Sequence, residues 1–426
     1  MSVFRIVGGI PLRGTVEASG SKNAVLPIMA ASILADGPVR LSRVPRVSDV
    51  DTLASVLGQL GMNVEWSREG ELLLETVDPK PIRAKYDLVR RMRASFCVLG
   101  PLLARRKEAV VSLPGGCNIG DRPVDLHLKG LAALGARLKL KHGYVHARTE
   151  RLVGTTIDLS GPAGSTVTGT ANVLSAAVLA EGTTTIAGAA MEPEIAELGS
   201  FLNAMGARVS GLGTPTIHVN GVKRLDGTAW RVTADRIEAA TILLSAAISG
   251  GAATVTDVVP EYLEAVIAGL RTAGLQVDVE NDRVTLIANG RPQAMDVTAQ
   301  PYPGMPTDVQ AQWTALLCLA RGRSVVQDCV FANRFLHVAE LKRMGARIRH
   351  CPPTAVVTGV KRLQGAVVTA SDLRASAALV LAGLAAEGQT VVRHIHHLDR
   401  GYERLDDKLR QLGARIERVE DGGACG

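Results

Sequence analysis

The chain has 426 residues, 46% of them apolar, with 44 glycines, 3% aromatics and a formal charge of +7. That length exceeds what one hydrophobic core usually serves, so two domains are expected, and the composition excludes a disordered or fibrous chain. The 48 Lys and Arg residues are scattered among 41 Asp and Glu rather than gathered in runs or among aromatics, which argues against a nucleic-acid surface and suits a small anionic substrate.

The first nine residues lack the basic-then-apolar pattern of a secretory signal, so no leader is expected. An alanine-rich helix is predicted from Ser21-Lys22. Further on, Leu60-Gly61-Met62-Asn63-Val64 reads as a helix end, a left-handed glycine and the opening of a strand. The same turn returns at Gly135, Gly206, Gly274, Gly345 and Gly413, at intervals of 74, 71, 68, 71 and 68 residues. Six repeats follow, each expected to run strand, helix, strand, helix, strand. Two sets of three give two similar domains with a break near residue 230. The class is α/β or α+β.

Within each repeat an apolar helix starts at a polar step: Ser21-Lys22, Met92-Arg93, Thr168-Gly169, Asp235-Arg236, Thr307-Asp308 and Asp372-Leu373-Arg374. Lys22, Arg93, Arg236 and Arg374 therefore fall in or beside a first turn, where the helix dipole disfavours a cation. Four such placements in register point to helix ends and cations converging on an anion.

Between the second and third helix starts, Ser112 to His127 carries Pro114, Gly115, Gly116, Cys117, Gly120, Arg122 and Pro123, the composition of a lid loop. Cys117 beside Arg122 is a candidate reactive thiol, with an inert loop cysteine as the alternative. The charge-free stretch 239–255 is interrupted by Ser245, Ser249, Gly250, Gly251 and Thr254, so it reads as a helix and a strand rather than a membrane span. In the fifth repeat, Thr307 or Asp308 can cap a helix, and a capping Thr307 leaves Asp308 free for a substrate. Arg400 has Asp399 and Glu403 as possible ion-pair partners. His394, His396 and His397 read as divided between solvent and core rather than as a metal site. Six cysteines without a C-x-x-C pair suggest a reducing cytoplasm, with Cys97 as core packing and Cys425 in a disordered tail.

The Cys117 segment, taken with Ser19-Gly20-Ser21-Lys22-Asn23-Ala24, Met92-Arg93-Ala94-Ser95, Pro306-Thr307-Asp308, Asn333-Arg334-Phe335, Asp372-Leu373-Arg374-Ala375-Ser376 and Asp399-Arg400-Gly401-Tyr402-Glu403, closely resembles the enolpyruvyl transferase family. The cysteine-bearing lid is similar to the branch that uses UDP-N-acetylglucosamine rather than the shikimate branch. The resemblance implies two domains of three βαβαββ units each, an inverse α/β barrel arrangement, spanning 22–232 and 1–21 with 233–426, and closing over a cleft. It implies Cys117 as proton donor and possible site of a covalent adduct, and Asp308 as base. Lys22, Asn23, Arg122, Arg374 and Arg400 would bind phosphoenolpyruvate. Arg93, Arg122, Pro123, Val124, Asp125, Leu126, Asp308 and Val330 would bind UDP-N-acetylglucosamine. No metal or cofactor, nucleic acid or membrane partner is implied. One departure stands out: Ser160-Gly161-Pro162-Ala163-Gly164 occupies the place where the family often has a Lys and a Ser against the nucleotide sugar, so those side-chain contacts are not carried over. Two other readings are a transferase with a different acceptor, such as shikimate 3-phosphate or a nucleotide, and a catalytically silent anion-binding repeat protein.

Overall fold

The computed structural model describes residues 2–114, 124–162 and 164–421. Cys117, Arg122, Pro123, Ala163 and Cys425 lie outside the described residues. One compact unit comprises residues 2–19 and 234–421, the other 20–114 and 124–233.

All six marker glycines have positive φ, between 79° and 103°, which a side chain would strain. The repeats run strand, helix, strand, helix, strand, strand, one strand longer than the glycine pattern indicates. In the third repeat, for example, Arg208–Ser210 follows the marker and a short turn leads into the additional strand, Thr216–Asn220. That strand pairs with the one before it and needs no second helix signal to announce it.

Among the described residues, six four-stranded sheets share one order, with a parallel pair at one edge and two antiparallel pairings after it. Three are completed by distant segments. Ser2–Val7 lies between Gln389–Arg393 and Arg415–Glu420. Arg13–Glu17 pairs in parallel with Ala252–Thr256, and Ala229–Arg231 in parallel with Val39–Ser42. This pairing assigns the N-terminal residues to the unit of 234–421.

The sheets cover buried helices. In the unit of 20–114 and 124–233 these are α1 (Lys22–Ala31), α2 (Leu99–Arg106) and, after the partly exposed α3 (Asp125–Ala133), which buries only His127, Gly130 and Leu131, α4 (Val167–Ala177). In the other unit they are α5 (Arg236–Ser249), α6 (Gln310–Leu317) and α7 (Leu373–Ala385), which pack on one another. These last three are buried on nearly every side, so they show little amphipathic periodicity. The charge-free stretch is α5 followed by the strand Ala252–Thr256. Among the described residues no helix is long and apolar enough to cross a membrane.

His337, at the start of the helix His337–Arg343, is buried beside Phe335, with ring centroids 6.0 Å apart. Burial, only partly opposed by Asp372, pushes its pKa down from 6.5 to about 4. The unfolded chain therefore takes up a proton that the folded chain refuses. Stability from this group should be intact above pH 6.5 and fall as pH drops toward 4, by up to about 3 kcal/mol. Urea unfolding of wild type and His337→Gln across that range checks this: the variant should show a shallower acid slope, and equal slopes would refute it.

Candidate active site

In the unit of 2–19 and 234–421, the helix starts carry the polar residues. Asp235 caps α5, its Oδ1 accepting from the backbone N–H of Ile237 at 2.8 Å and of Glu238 at 3.0 Å. Asp372 caps α7 in the same way, through Arg374 N at 2.9 Å and Ala375 N at 3.1 Å. The start of α6 differs. Thr307–Val309 forms a single 3-10 turn with no side-chain cap. Neither Thr307 nor Asp308 caps the helix, which corrects one of the sequence expectations. Thr307 Oγ1 instead donates to Asp328 Oδ2 at 2.6 Å. Asp328 Oδ1 accepts from Val330 N and Phe331 N, so the loop bearing Val330 is tied to the residue beside Asp308.

Asp308 is not a free carboxylate, as a capping Thr307 was expected to leave it. Its Oδ2 accepts from Arg374 Nη2 at 2.6 Å and its Oδ1 from Arg334 Nη1 at 2.8 Å. The side chains of Arg374 and Arg334 are 2% and 8% exposed, against 25% for Asp308. Burial works against the charge of Arg374, but Asp308 chiefly offsets it, and its pKa lies above the usual guanidinium value. Two buried guanidiniums thus share one partly exposed carboxylate, leaving the group of three with a net positive charge that can meet an anion. Arg334 stands in the Asn333-Arg334-Phe335 motif that carries the family resemblance, but no role is assigned to its side chain there.

A directional hydrogen-bond chain lies beneath this pair. Thr241 Oγ1 donates to Ile237 O at 2.7 Å, so the 2.9 Å contact with Tyr402 is a donation from the phenol. Gln312 Nε2 lies 3.1 Å from the Tyr402 oxygen and 3.0 Å from Asp308 O, and donates to both. The Tyr402 ring sits 5.2 Å from the Arg374 guanidinium carbon. The backbone of Asp308 and the side chain of Arg374 are thus held by one buried network. Arg400 ends the 3-10 segment Ile395–Arg400 and is half-buried. Of its expected partners, Asp399 is held by Arg418 through contacts of 2.7 and 2.9 Å, and Glu403 accepts from Ser19 Oγ at 2.8 Å.

In the other unit, Lys22 is the first residue of α1, after the cap Ser21, whose Oγ accepts from Ala24 N at 3.3 Å. Lys22 is buried, and its Nζ lies 3.2 Å from Oδ2 of the buried Asp49. A buried ammonium at the positive end of a helix is disfavoured twice over, and Asp49 offsets both terms. Half-buried Asn23 follows it. Arg93 opens the 3-10 helix Arg93–Val98, which packs against α1 and runs into α2; Cys97, expected within an ordinary helix, is buried in this tighter segment. Val124 precedes α3, whose first residues are the exposed Asp125 and half-buried Leu126. Nearby, Gly161 and Gly164 exchange two backbone hydrogen bonds of 3.0 Å, and Ser160 N donates to Asp158 at 2.9 Å. A Cβ on Gly161 would stand 3.0 Å from Leu126 Cδ1, so this turn lies directly against α3.

Residues 6–409 match the family model described as EPSP synthase (3-phosphoshikimate 1-carboxyvinyltransferase). The chain is 51% identical over 423 residues to UDP-N-acetylglucosamine 1-carboxyvinyltransferase 2 of Carboxydothermus hydrogenoformans, covering 99% of this chain and 100% of that protein. It is 53% identical over 420 residues to UDP-N-acetylglucosamine 1-carboxyvinyltransferase of Nitratidesulfovibrio vulgaris, covering 98% and 99%. The chain belongs to the enolpyruvyl transferase family. Among solved structures, the enolpyruvyl transferase NikO from Streptomyces tendae is similar with a TM-score of 0.88 at 25% identity, over 98% of this chain and 99% of that one. EPSP synthase from Acinetobacter baumannii shares the fold, with a TM-score of 0.75 at 20% identity over 99% of this chain and 100% of that one. The six-repeat fold is therefore that of the enolpyruvyl transferases.

Proposed function

We propose that this enolpyruvyl transferase moves the enolpyruvyl group of phosphoenolpyruvate onto the 3-hydroxyl of UDP-N-acetylglucosamine, releasing phosphate, in the first committed step of peptidoglycan synthesis. The observation that carries the acceptor is the identity of about half the chain, end to end, with relatives named for that reaction. The Asp308–Arg374–Arg334 arrangement supports the chemistry.

In this reading Cys117 protonates the methylene carbon of phosphoenolpyruvate, the sugar hydroxyl attacks the cationic C2, and Asp308 takes the hydroxyl proton. Loss of phosphate from the tetrahedral ketal, with a proton from its methyl carbon returning to the Cys117 thiolate, restores the double bond and completes the transfer. Lys22, Asn23, Arg122, Arg374 and Arg400 hold the phosphate and carboxylate of phosphoenolpyruvate, where bidentate guanidinium geometry fits both groups. Arg93, Arg122 to Leu126, Asp308 and Val330 hold the nucleotide sugar. Backbone groups of the 160–164 turn serve where the family often has side chains. The four described cysteines are free thiols, which suits a cytoplasmic enzyme.

The test is phosphate release from phosphoenolpyruvate with UDP-N-acetylglucosamine, shikimate 3-phosphate, UMP or no acceptor, with Cys117→Ala as control. Release with UDP-N-acetylglucosamine alone, abolished in the variant, is the expected result. Release with shikimate 3-phosphate instead would reassign the acceptor, and no release with any of them would overturn the reading.

A further inference from the structure

A buried polar cluster in the unit of 20–114 and 124–233 is not used by the chemistry above. Its centre is Asn172 on α4, which is fully buried. Its amide orientation follows from its partners. The Oδ1 atom lies 2.7 Å from Gly100 N, which can only donate. The Nδ2 atom donates to Phe96 O at 3.0 Å. The same Nδ2 lies 2.8 Å from Nδ1 of the buried His127. Because Nδ2 is a donor, Nδ1 must accept, and the neutral ring carries its proton on Nε2. That nitrogen is 3.1 Å from Thr168 Oγ1 and donates to it. An imidazolium would set two donors against each other at Nδ1.

The neighbouring backbone is built around this amide. Gly100 is the second residue of α2, where a helix N–H has no partner within its own helix, and Asn172 supplies one from α4. A Cβ on Gly100 would stand 2.1 Å from Asn172 O, so only glycine permits the approach. The Phe96 ring meets the His127 ring edge-on, with centroids 5.3 Å apart.

The cluster joins three segments. Phe96 shares the 3-10 helix that Arg93 opens. His127 follows Asp125 and Leu126 on α3. Thr168 is the second residue of α4, just after the 160–164 turn. We propose that Asn172 is a positioning residue for the nucleotide-sugar acceptor. Through His127, held neutral with its proton on Nε2, it fixes the segments bearing Arg93, Val124 to Leu126 and the 160–164 turn. This rests on the acceptor assignment made above.

The test combines kinetics with imidazole 15N spectroscopy. In wild type the His127 signals, assigned by their loss in His127→Gln, should show the Nε2–H tautomer unchanged from pH 5.5 to 8. A ring that titrates in that range, or protonates at Nδ1, overturns the proposal without any need for a folded Asn172 variant. Asn172→Asp keeps the acceptor for Gly100 but replaces the donor with an acceptor, so Nδ1 should become protonated. The KM for UDP-N-acetylglucosamine should rise at least tenfold, with the KM for phosphoenolpyruvate changed less than twofold. Asn172→Ser, which retains a donor, should show a smaller rise. Equal shifts in both KM values, or none, would leave Asn172 a packing residue and sink the proposal alone. Absence of wild-type turnover with UDP-N-acetylglucosamine would instead defeat the acceptor assignment, and the positioning role with it.

Discussion

Asp308→Asn is expected to lower kcat by about 10²–10⁴, the usual contribution of a general base, with little change in side-chain volume. The same substitution removes the counter-charge of two buried guanidiniums, Arg334 and Arg374. Breaking a buried pair by neutralising one partner costs about 3–5 kcal/mol, and partial exposure of Asp308 makes that an upper bound here. Turnover and unfolding midpoint should therefore both fall, and they need to be separated. Arg334→Gln withdraws one of the two ion pairs while leaving the carboxylate. If the loss of turnover in Asp308→Asn came only from loosened structure, Arg334→Gln would reproduce much of it at matched stability. The base assignment predicts that Arg334→Gln loses far less activity for the same loss of stability. Unchanged kcat in a folded Asp308→Asn variant would remove the assignment outright.

Much of the architecture was legible because duplication writes a periodic signal. The glycine that ends the second helix of each repeat must take positive φ, and that requirement marks each repeat. The fourth strand of each sheet left no comparable mark, since a hairpin partner such as Thr216–Asn220 requires only a short turn. Cap residues were readable where a side chain does the capping, as at Asp235 and Asp372. They misled at Thr307, where a 3-10 turn frees the hydroxyl to reach Asp328. Local spacing could not place Arg334 on Asp308, 26 residues away, or Asn172 on His127, 45 residues away. Both contacts come from tertiary packing, and both involve polar groups that burial makes costly unless partnered. Such groups can be sought in a sequence as side-chain amides on helices expected to be buried. Asn172 in Val167–Ala177 and Gln312 in Gln310–Leu317 fit that description.

Lys22→Gln should reduce kcat/KM for phosphoenolpyruvate by about 10²–10³, the range for removing a buried cation that holds an anion. The competing structural explanation is that Lys22 exists to neutralise Asp49, 3.2 Å away. That explanation predicts symmetrical behaviour: Lys22→Gln and Asp49→Asn should destabilise alike, and the double variant should recover both stability and turnover. An anion-binding Lys22 predicts an asymmetry instead. Asp49→Asn should leave the lysine in place with an amide oxygen still able to accept from it, so catalysis should suffer less. The double variant should regain stability, since no buried charge remains unpaired, but its kcat/KM should stay as low as that of Lys22→Gln. The coupling energy for stability should therefore be large while that for turnover should be small, a contrast that a double-mutant cycle measures directly. Recovery of turnover in the double variant would make Lys22 a structural counter-ion and remove it from the phosphoenolpyruvate site.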